Sequence, residues 1–203
     1  MNRRSWIKAM AAAAASATAI PALKSALQCG PAMPPVGMQS CSAGIPQDQL
    51  NMVFADQEAS EWCWAACIQM VFSFWGHPVS QQEIVRQTWG VAANVPAHPL
   101  QIMNDLNRLW RDANGRPFRA VGDVFTATGA TAAQDLANNM PLIIGSMGHA
   151  MVLTAMSYNR MPNSAGQVTK VMVRDPWPGN GGTRPLSPVE AASTMLLARI
   201  RVM

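Results

Sequence analysis

The apolar residues of this chain fall into two regimes. From Glu61 to about Trp75 they crowd together as in a buried helix, and Gly76 and Pro78 end the run. A second helix is predicted behind "SQQE", Ser80 to Glu83, a capping pattern ahead of Ile84 and Val85. Helical spacing returns around Leu100 to Trp110, and a fourth helix, about 131–140, opens on "TAAQ" and stops before Pro141. Beyond it the period shortens to that of strands. "PLIIGS", "HAMVLTAMSYN", "QVTKVMVRD" and "TMLLARIRV" are separated by Gly, Asn and Pro turns, with one short helix capped by "SPVE", Ser187 to Glu190. Helices first and strands afterwards predict an α+β fold with a cleft between a helical lobe and a sheet lobe.

Ahead of the first helix the pattern is lost. Residues 23–52 hold Pro31, Pro34, Pro35 and Pro46 with several glycines and no periodicity, so they read as an extended lead-in or a short propeptide before a domain at 53–203. Residues 1–22, "MNRRSWIKAMAAAAASATAIPA", place Arg3, Arg4 and Lys8 before an alanine-rich apolar run, the layout of an export signal. "NRRSWIK" resembles the twin-arginine pattern, which directs a protein to the periplasm or the exterior. No other segment reaches the roughly 18 apolar residues of a membrane helix, so no membrane partner is expected once the signal is removed.

Composition narrows this further. The 203 residues are 49% hydrophobic and 13% charged, as expected of a folded domain. The net charge of +4 falls to +1 without the signal, because three of the 15 basic residues leave and all 11 acidic ones stay. No basic patch remains to recruit nucleic acid. Cys29 and Cys41 lie in a chain bound for an oxidising compartment, and a disulfide between them is the simplest use of both; Cys41 with Cys67 is the competing pairing.

The candidate chemistry centres on "QEASEWCWAAC", residues 57–67. Cys67 suits an apolar core position. Cys63 falls at the predicted helix start, where amide hydrogens and the helix dipole favour a thiolate, the nucleophilic form. Of three histidines, His77 and His98 sit in turns next to prolines and read as exposed. His149 begins an apolar strand just after Gly148, which leaves room for close approach, so it is the candidate base. Asp175, at the end of the next strand, is placed to face His149 and fix its tautomer. Gln57, six residues before Cys63, can donate its amide to a developing oxyanion beside the Cys63 backbone amide.

Gln57, Cys63 with Trp64 after it, His149 in "GHAMVLTAM" and Asp175 in "DPW" resemble the papain-like cysteine proteases, in the order oxyanion Gln, nucleophile, base and orienting residue. "CWAAC" and "DPWPG" are similar to the compact bacterial branch that includes cysteine-protease effectors of plant pathogens. The resemblance covers residues 53 to about 203 and implies a central helix packed on an antiparallel sheet lobe, peptide-bond hydrolysis of a protein or peptide substrate, and no cofactor or metal. It also implies that Trp177 covers the His149–Asp175 pair, with plain packing as the alternative role. Trp62 and Trp64 flank the nucleophile, Trp62 as cleft wall and Trp64 as core. The plant and lysosomal branch reads Cys-Gly-Ser before its nucleophile where this chain has Ser60, Glu61 and Trp62, so the disulfide that anchors that region is absent.

Two other readings use the same residues. An amine in place of water would resolve the acyl-enzyme as a transamidase, and a deamidase would share the site. A non-enzymatic alternative is a metal-binding module of Cys63, Cys67 and His149, although a structural zinc site wants a fourth ligand.

Overall fold

The stretch "QSCSAG", Gln39–Gly44, is a strand inside a sheet (β2), paired antiparallel with residues 155–160 from Gln39 opposite Arg160 to Gly44 opposite Ala155. It is flanked by a short strand Gln28–Cys29 (β1) and a helix Gln47–Asn51 (α1). The computed structural model describes residues 27–124, 128–162, 164–180 and 182–203, so the predicted export signal at 1–22 lies outside the described residues. The expected extended lead-in is corrected here: from residue 28 it is built into the fold, with Cys41, Ala43, Ile45 and Leu50 all buried. The alternation is real, but Ser faces out and Cys and Ala face in, so no large apolar residue announces the strand.

The central helix is Cys63–Phe74 (α2), with Trp64 through Ile68, Met70, Val71 and Phe72 buried. A helix apolar on nearly every side must sit inside the fold. Helix Gln81–Trp89 (α3) follows, capped by Ser80 Oγ, which accepts from the Glu83 N–H at 3.2 Å. The Glu83 carboxylate turns to Arg86 and Gln87 instead, so only half of the capping box forms. The third predicted helix is shorter than expected, Pro99–Asp105 (α4), because Leu109–Arg111 (β3) pairs with Pro117–Asp123 (β4) and draws the chain into the sheet. Trp110 is buried there, its Nε1–H donated to the Asp105 carbonyl. Helix Gly129–Ala137 (α5) is capped by Thr128, three residues earlier than the sequence pattern suggested.

The predicted strands follow as Leu142–Ser146 (β5), His149–Met161 (β6) and Ser164–Arg174 (β7), then a short Thr183–Pro185 (β8), helix Pro188–Ala192 (α6) and Thr194–Val202 (β9). All pairings among the described strands are antiparallel, in the order β1-β2-β6-β5-β9-β4-β3, with β7 also on β6 and β8 on β7. Both sheet faces are covered. Ile143, Ala150 and Val152 join a core with α2, while Leu142, Ile144, Met151 and Leu153 face a second core with α1 and α5. Strands covered on both sides read as continuous apolar runs, which is how "PLIIG" and "AMVL" announced themselves. The fold is α+β with an antiparallel sheet, but the order of helices first and strands later holds only in part, since β2 precedes α2 and lies beside β6. Among the described residues no helix is long and apolar enough to cross a membrane.

Candidate active site

Cys63 is the first residue of α2, where backbone N–H groups lack partners within the helix. Opposite it, β5 and β6 are joined by two residues, Met147 and Gly148, with φ of 51° and 79°. Positive φ at both central positions is the mark of the tight hairpin turn whose twist matches its strands. The turn sets His149 at the start of β6, opposite Ser146, and puts the next amide on the nucleophile: the Ala150 N–H is donated to Cys63 Sγ at 3.5 Å.

The His149 ring lies between Asp175 and Cys63. Nε2 is 2.7 Å from Asp175 Oδ1, and Cys63 lines the same cavity as the ring. Burial disfavours its charged form, yet the hydrogen bond to Asp175 and the charges of Cys63 and Asp175 outweigh that and raise its pKa to about 9. Asp175, buried at the end of β7, accepts at both oxygens. Oδ1 takes His149 and the Trp177 N–H at 2.9 Å; Oδ2 takes Asn180 Nδ2 at 3.1 Å and Arg184 Nε at 2.8 Å. Burial pushes this carboxyl up, but those donors hold it far below the usual carboxylate range. Arg184 is itself gripped by Glu190 at 2.7 and 3.1 Å.

A cavity of about 370 Å³ opens beside Cys63 and His149, walled by Trp64, Pro96, Ala97, Ile102, Gly148 and Leu196. This corrects the expected place of Trp62 as cleft wall, while Trp64 sits in the core as expected. Trp62 is buried and spends its Nε1–H on the Ala93 carbonyl, pinning the loop before α4, while Trp64 reaches the cavity from the core. Trp177 is 49% exposed and stands edge-on to His149, centroids 6.2 Å apart, so it screens one side of the imidazole without sealing it. Gly148 lines the cavity, and a Cβ there would meet nothing within 4 Å; its positive φ is what requires glycine.

Gln57 is buried on the loop that leads into α2 and Cys63, and its backbone N–H bonds the Pro176 carbonyl at 2.8 Å, next to Asp175. Its side-chain Nε2 donates to the carbonyls of Ala59 at 3.0 Å and Ser60 at 2.9 Å, and Oε1 is buried without a hydrogen-bond partner among the described residues. Cys67 is fully buried; burial, then the charges of Cys63 and Asp175, hold its thiol well above its ordinary value. The disulfide is Cys29–Cys41, across β1 and β2, which excludes the Cys41–Cys67 pairing. His77 corrects the expected exposed turn residue: it stacks on Phe118 at 4.5 Å and faces Asp112 at 3.2 Å. His98 is exposed and caps α4. Among the described residues no three His, Cys, Asp or Glu side chains come together to hold a metal ion, so Cys63, Cys67 and His149 do not form the ligand set of the metal-binding alternative.

Residues 47–193, most of the chain, match the model of the Peptidase_C39 like family. The chain belongs to the Peptidase_C39-like family. The matched region takes in α1, the helix at the end of the supposed lead-in. No curated protein matches the sequence. Among solved structures, it is similar to the crystal structure of UfSP from C. elegans, at 15% identity and a TM-score of 0.41, over 86% of this chain and 36% of that one. The chain therefore spans about a third of that protein's length.

Sequence reasoning missed four groups at this Peptidase_C39-like site: the Ala150 amide, Asn180, Arg184 and Glu190. The first is a consequence of hairpin geometry. The other three lie on the glycine-rich loop after Asp175 and the strand and helix beyond it; "SPVE" was visible, but as a helix cap alone.

Proposed function

We propose that the protein is an exported cysteine peptidase that hydrolyses peptide bonds of a protein or peptide substrate through a Cys63 acyl-enzyme. The grouping of Cys63, His149 and Asp175, with His149 bonded to Asp175 at 2.7 Å, carries this reading, at the mouth of a cavity roomy enough for a side chain. With His149 Nε2 on Asp175, Nδ1 is the nitrogen that serves Cys63. The sulfur attacks the scissile carbonyl carbon, and Nδ1–H protonates the leaving amine as the C–N bond breaks. Water, deprotonated by the same nitrogen, then attacks the thioester and releases the acid and the thiol. Asp175 keeps the imidazole aligned and does not titrate in the cycle.

The oxyanion would meet the Cys63 backbone N–H, joined by Gln57 once its amide releases one of the two loop carbonyls it now holds. Export is favoured by the twin-arginine-like start and by a disulfide whose partners sit in adjacent strands, a bond that persists in oxidising compartments.

The test is product analysis by mass spectrometry on a peptide library, with the protein and its Cys63→Ala variant, with and without added amine. New carboxyl termini made only by the wild type support hydrolysis. Products capped by the amine would move the assignment to a transamidase, and no Cys63-dependent product would overturn both.

A further inference from the structure

Asp175 holds His149, and Arg184 in turn holds Asp175. Arg184 has five N–H groups, and the structure supplies an acceptor for each. Nε donates to Asp175 Oδ2 at 2.8 Å; Nη1 to Glu190 Oε2 at 3.1 Å and the Pro185 carbonyl at 3.2 Å; Nη2 to Glu190 Oε1 at 2.7 Å and Met151 Sδ at 3.1 Å. A guanidinium with every donor engaged has no other orientation of comparable energy. Glu190 is fixed as firmly. Its Oε2 also accepts from the Ser187 N–H at 2.8 Å, and its backbone carbonyl accepts from Ser146 Oγ at 2.6 Å. Ser146 is the residue opposite His149 in the hairpin. The loop thus closes: α6 holds Arg184, Arg184 holds Asp175, Asp175 holds His149, and the strand end beside His149 holds α6.

Charge matters as much as aim. Asp175 and Glu190 without Arg184 would place two negative charges behind one imidazole. With Arg184 between them the net charge behind the ring is one. The other ionisable groups facing the ring are Cys63 at the start of α2 and Glu61 at the cavity mouth, with Cys67 a turn deeper; none is a cation. Arg184 is the fixed positive charge in contact with Asp175; Arg174, next to Asp175 in the chain, spends its guanidinium on Gln47 and Asn51 of α1.

We propose that Arg184 and Glu190 form a positioning and charge-setting pair for the Cys63–His149–Asp175 line: Arg184 locks the Asp175 carboxylate, and the balance of the two charges sets the pH range over which the imidazolium persists. This rests on the cysteine-peptidase reading above. It predicts shifts of opposite sign. Removing Arg184 leaves more negative charge near His149 and holds its proton to higher pH. Removing Glu190 leaves the cation less compensated and releases that proton at lower pH.

The readout is the pH dependence of Cys63 alkylation by iodoacetamide from pH 4 to 10.5 in the full-length protein, followed by peptide mass spectrometry, which needs no substrate. Wild type should show an upper step in the alkylation rate where the imidazolium loses its proton. The upper step should rise by about 0.5–1 pH unit in Arg184→Gln, fall by about as much in Glu190→Gln, and return near wild type in the double variant. Arg184→Lys, which keeps the charge and loses the fork, should keep the upper step near its wild-type position. Shifts of one sign in both single variants, or none, would overturn the proposal, since loosened packing alone has no reason to change sign. If Arg184→Gln does not fold, Glu190→Gln decides by itself: a downward shift supports the proposal and an unmoved step rejects it. An upper step that survives unchanged in His149→Ala would reject the Cys63–His149 pair, and this proposal with it.

Discussion

The Ala150 N–H points at Cys63 Sγ from 3.5 Å, so the hairpin that carries His149 is docked on the first turn of the helix that carries the nucleophile. Two elements 86 residues apart in sequence are registered by one backbone hydrogen bond and one imidazole. Cys63 is half-buried, and its removal deletes one sulfur from a cleft rather than from the core. Cys63→Ala should therefore lose turnover by at least about 10³-fold while its melting temperature stays within about 3 °C of wild type. Comparable cleavage by this variant would remove Cys63 from the chemistry.

The His149–Asp175 pair should write itself into the pH dependence of stability. His149 is raised from 6.5 to about 9 against the opposing effect of burial, so its contribution is complete below pH 6.5 and is lost as pH rises through about 9. Asp175 is depressed below 3.8, so its contribution is complete above that pH and is lost on acidification. Both act together between about pH 4 and 6.5. Melting curves of wild type and His149→Ala should differ most in that window, by about 5 °C, and converge toward pH 10. A difference unchanged from pH 5 to 10 would mean that the pair contributes no charge-dependent stability.

What the sequence disclosed follows from where each signal is stored. Histidine and cysteine are rare in this chain, so Cys63 and His149 could be reached by elimination, and Asp175 by its place at a strand end. β5 and β6 were visible because burial on both faces demands unbroken apolar runs. Other contacts leave no local trace. Arg184 meets Asp175 from nine residues further along the chain, past a glycine-rich stretch, and only the paired geometry of β7 and β8 brings them together. β2 and β4 escaped because their inward residues include Cys41, Ala43 and Ala120, too small to set a hydrophobic period. The burial of Trp62 turned on one carbonyl, Ala93, in a loop with no pattern.

Cys67 tests whether the second cysteine of "CWAAC" is more than packing. It is fully buried among Trp64, Ile68 and the sheet, and its thiol stays protonated. Cys67→Ala should cost about 1 kcal/mol in urea unfolding and leave turnover within about twofold of wild type. Loss of turnover in a folded Cys67→Ala protein would assign this thiol a part in the reaction.

Gln57 holds its loop through both amide hydrogens, and the same loop leads into Cys63. Gln57→Ala should lower kcat by about 10²-fold if one N–H transfers to the oxyanion, with KM changed far less, because that bond exists only in the transition state. Gln57→Glu, which keeps the shape but loses the donors, should fall as far. An unchanged kcat in both would confine Gln57 to bracing the loop.

The last prediction concerns the segment that looked dispensable. β2 contributes six residues of pairing to β6, the strand that begins with His149, and α1 supplies Gln47 and Asn51 to Arg174, a buried cation immediately before Asp175. Arg174 has no carboxylate partner among its described contacts, so these two amide oxygens and the face of Phe54, 5.6 Å away, are what its charge rests on. Removing the segment would bare one core and strand that cation, a combination that costs more than a typical domain can spare. Leu50→Ala, at a residue 3% exposed, should cost about 2–4 kcal/mol in urea unfolding. Deletion through residue 26 should leave a folded protein with reactive Cys63, whereas deletion through residue 52 should leave one that melts without a cooperative transition. A folded and reactive chain beginning at residue 53 would return the segment to the status of a removable leader.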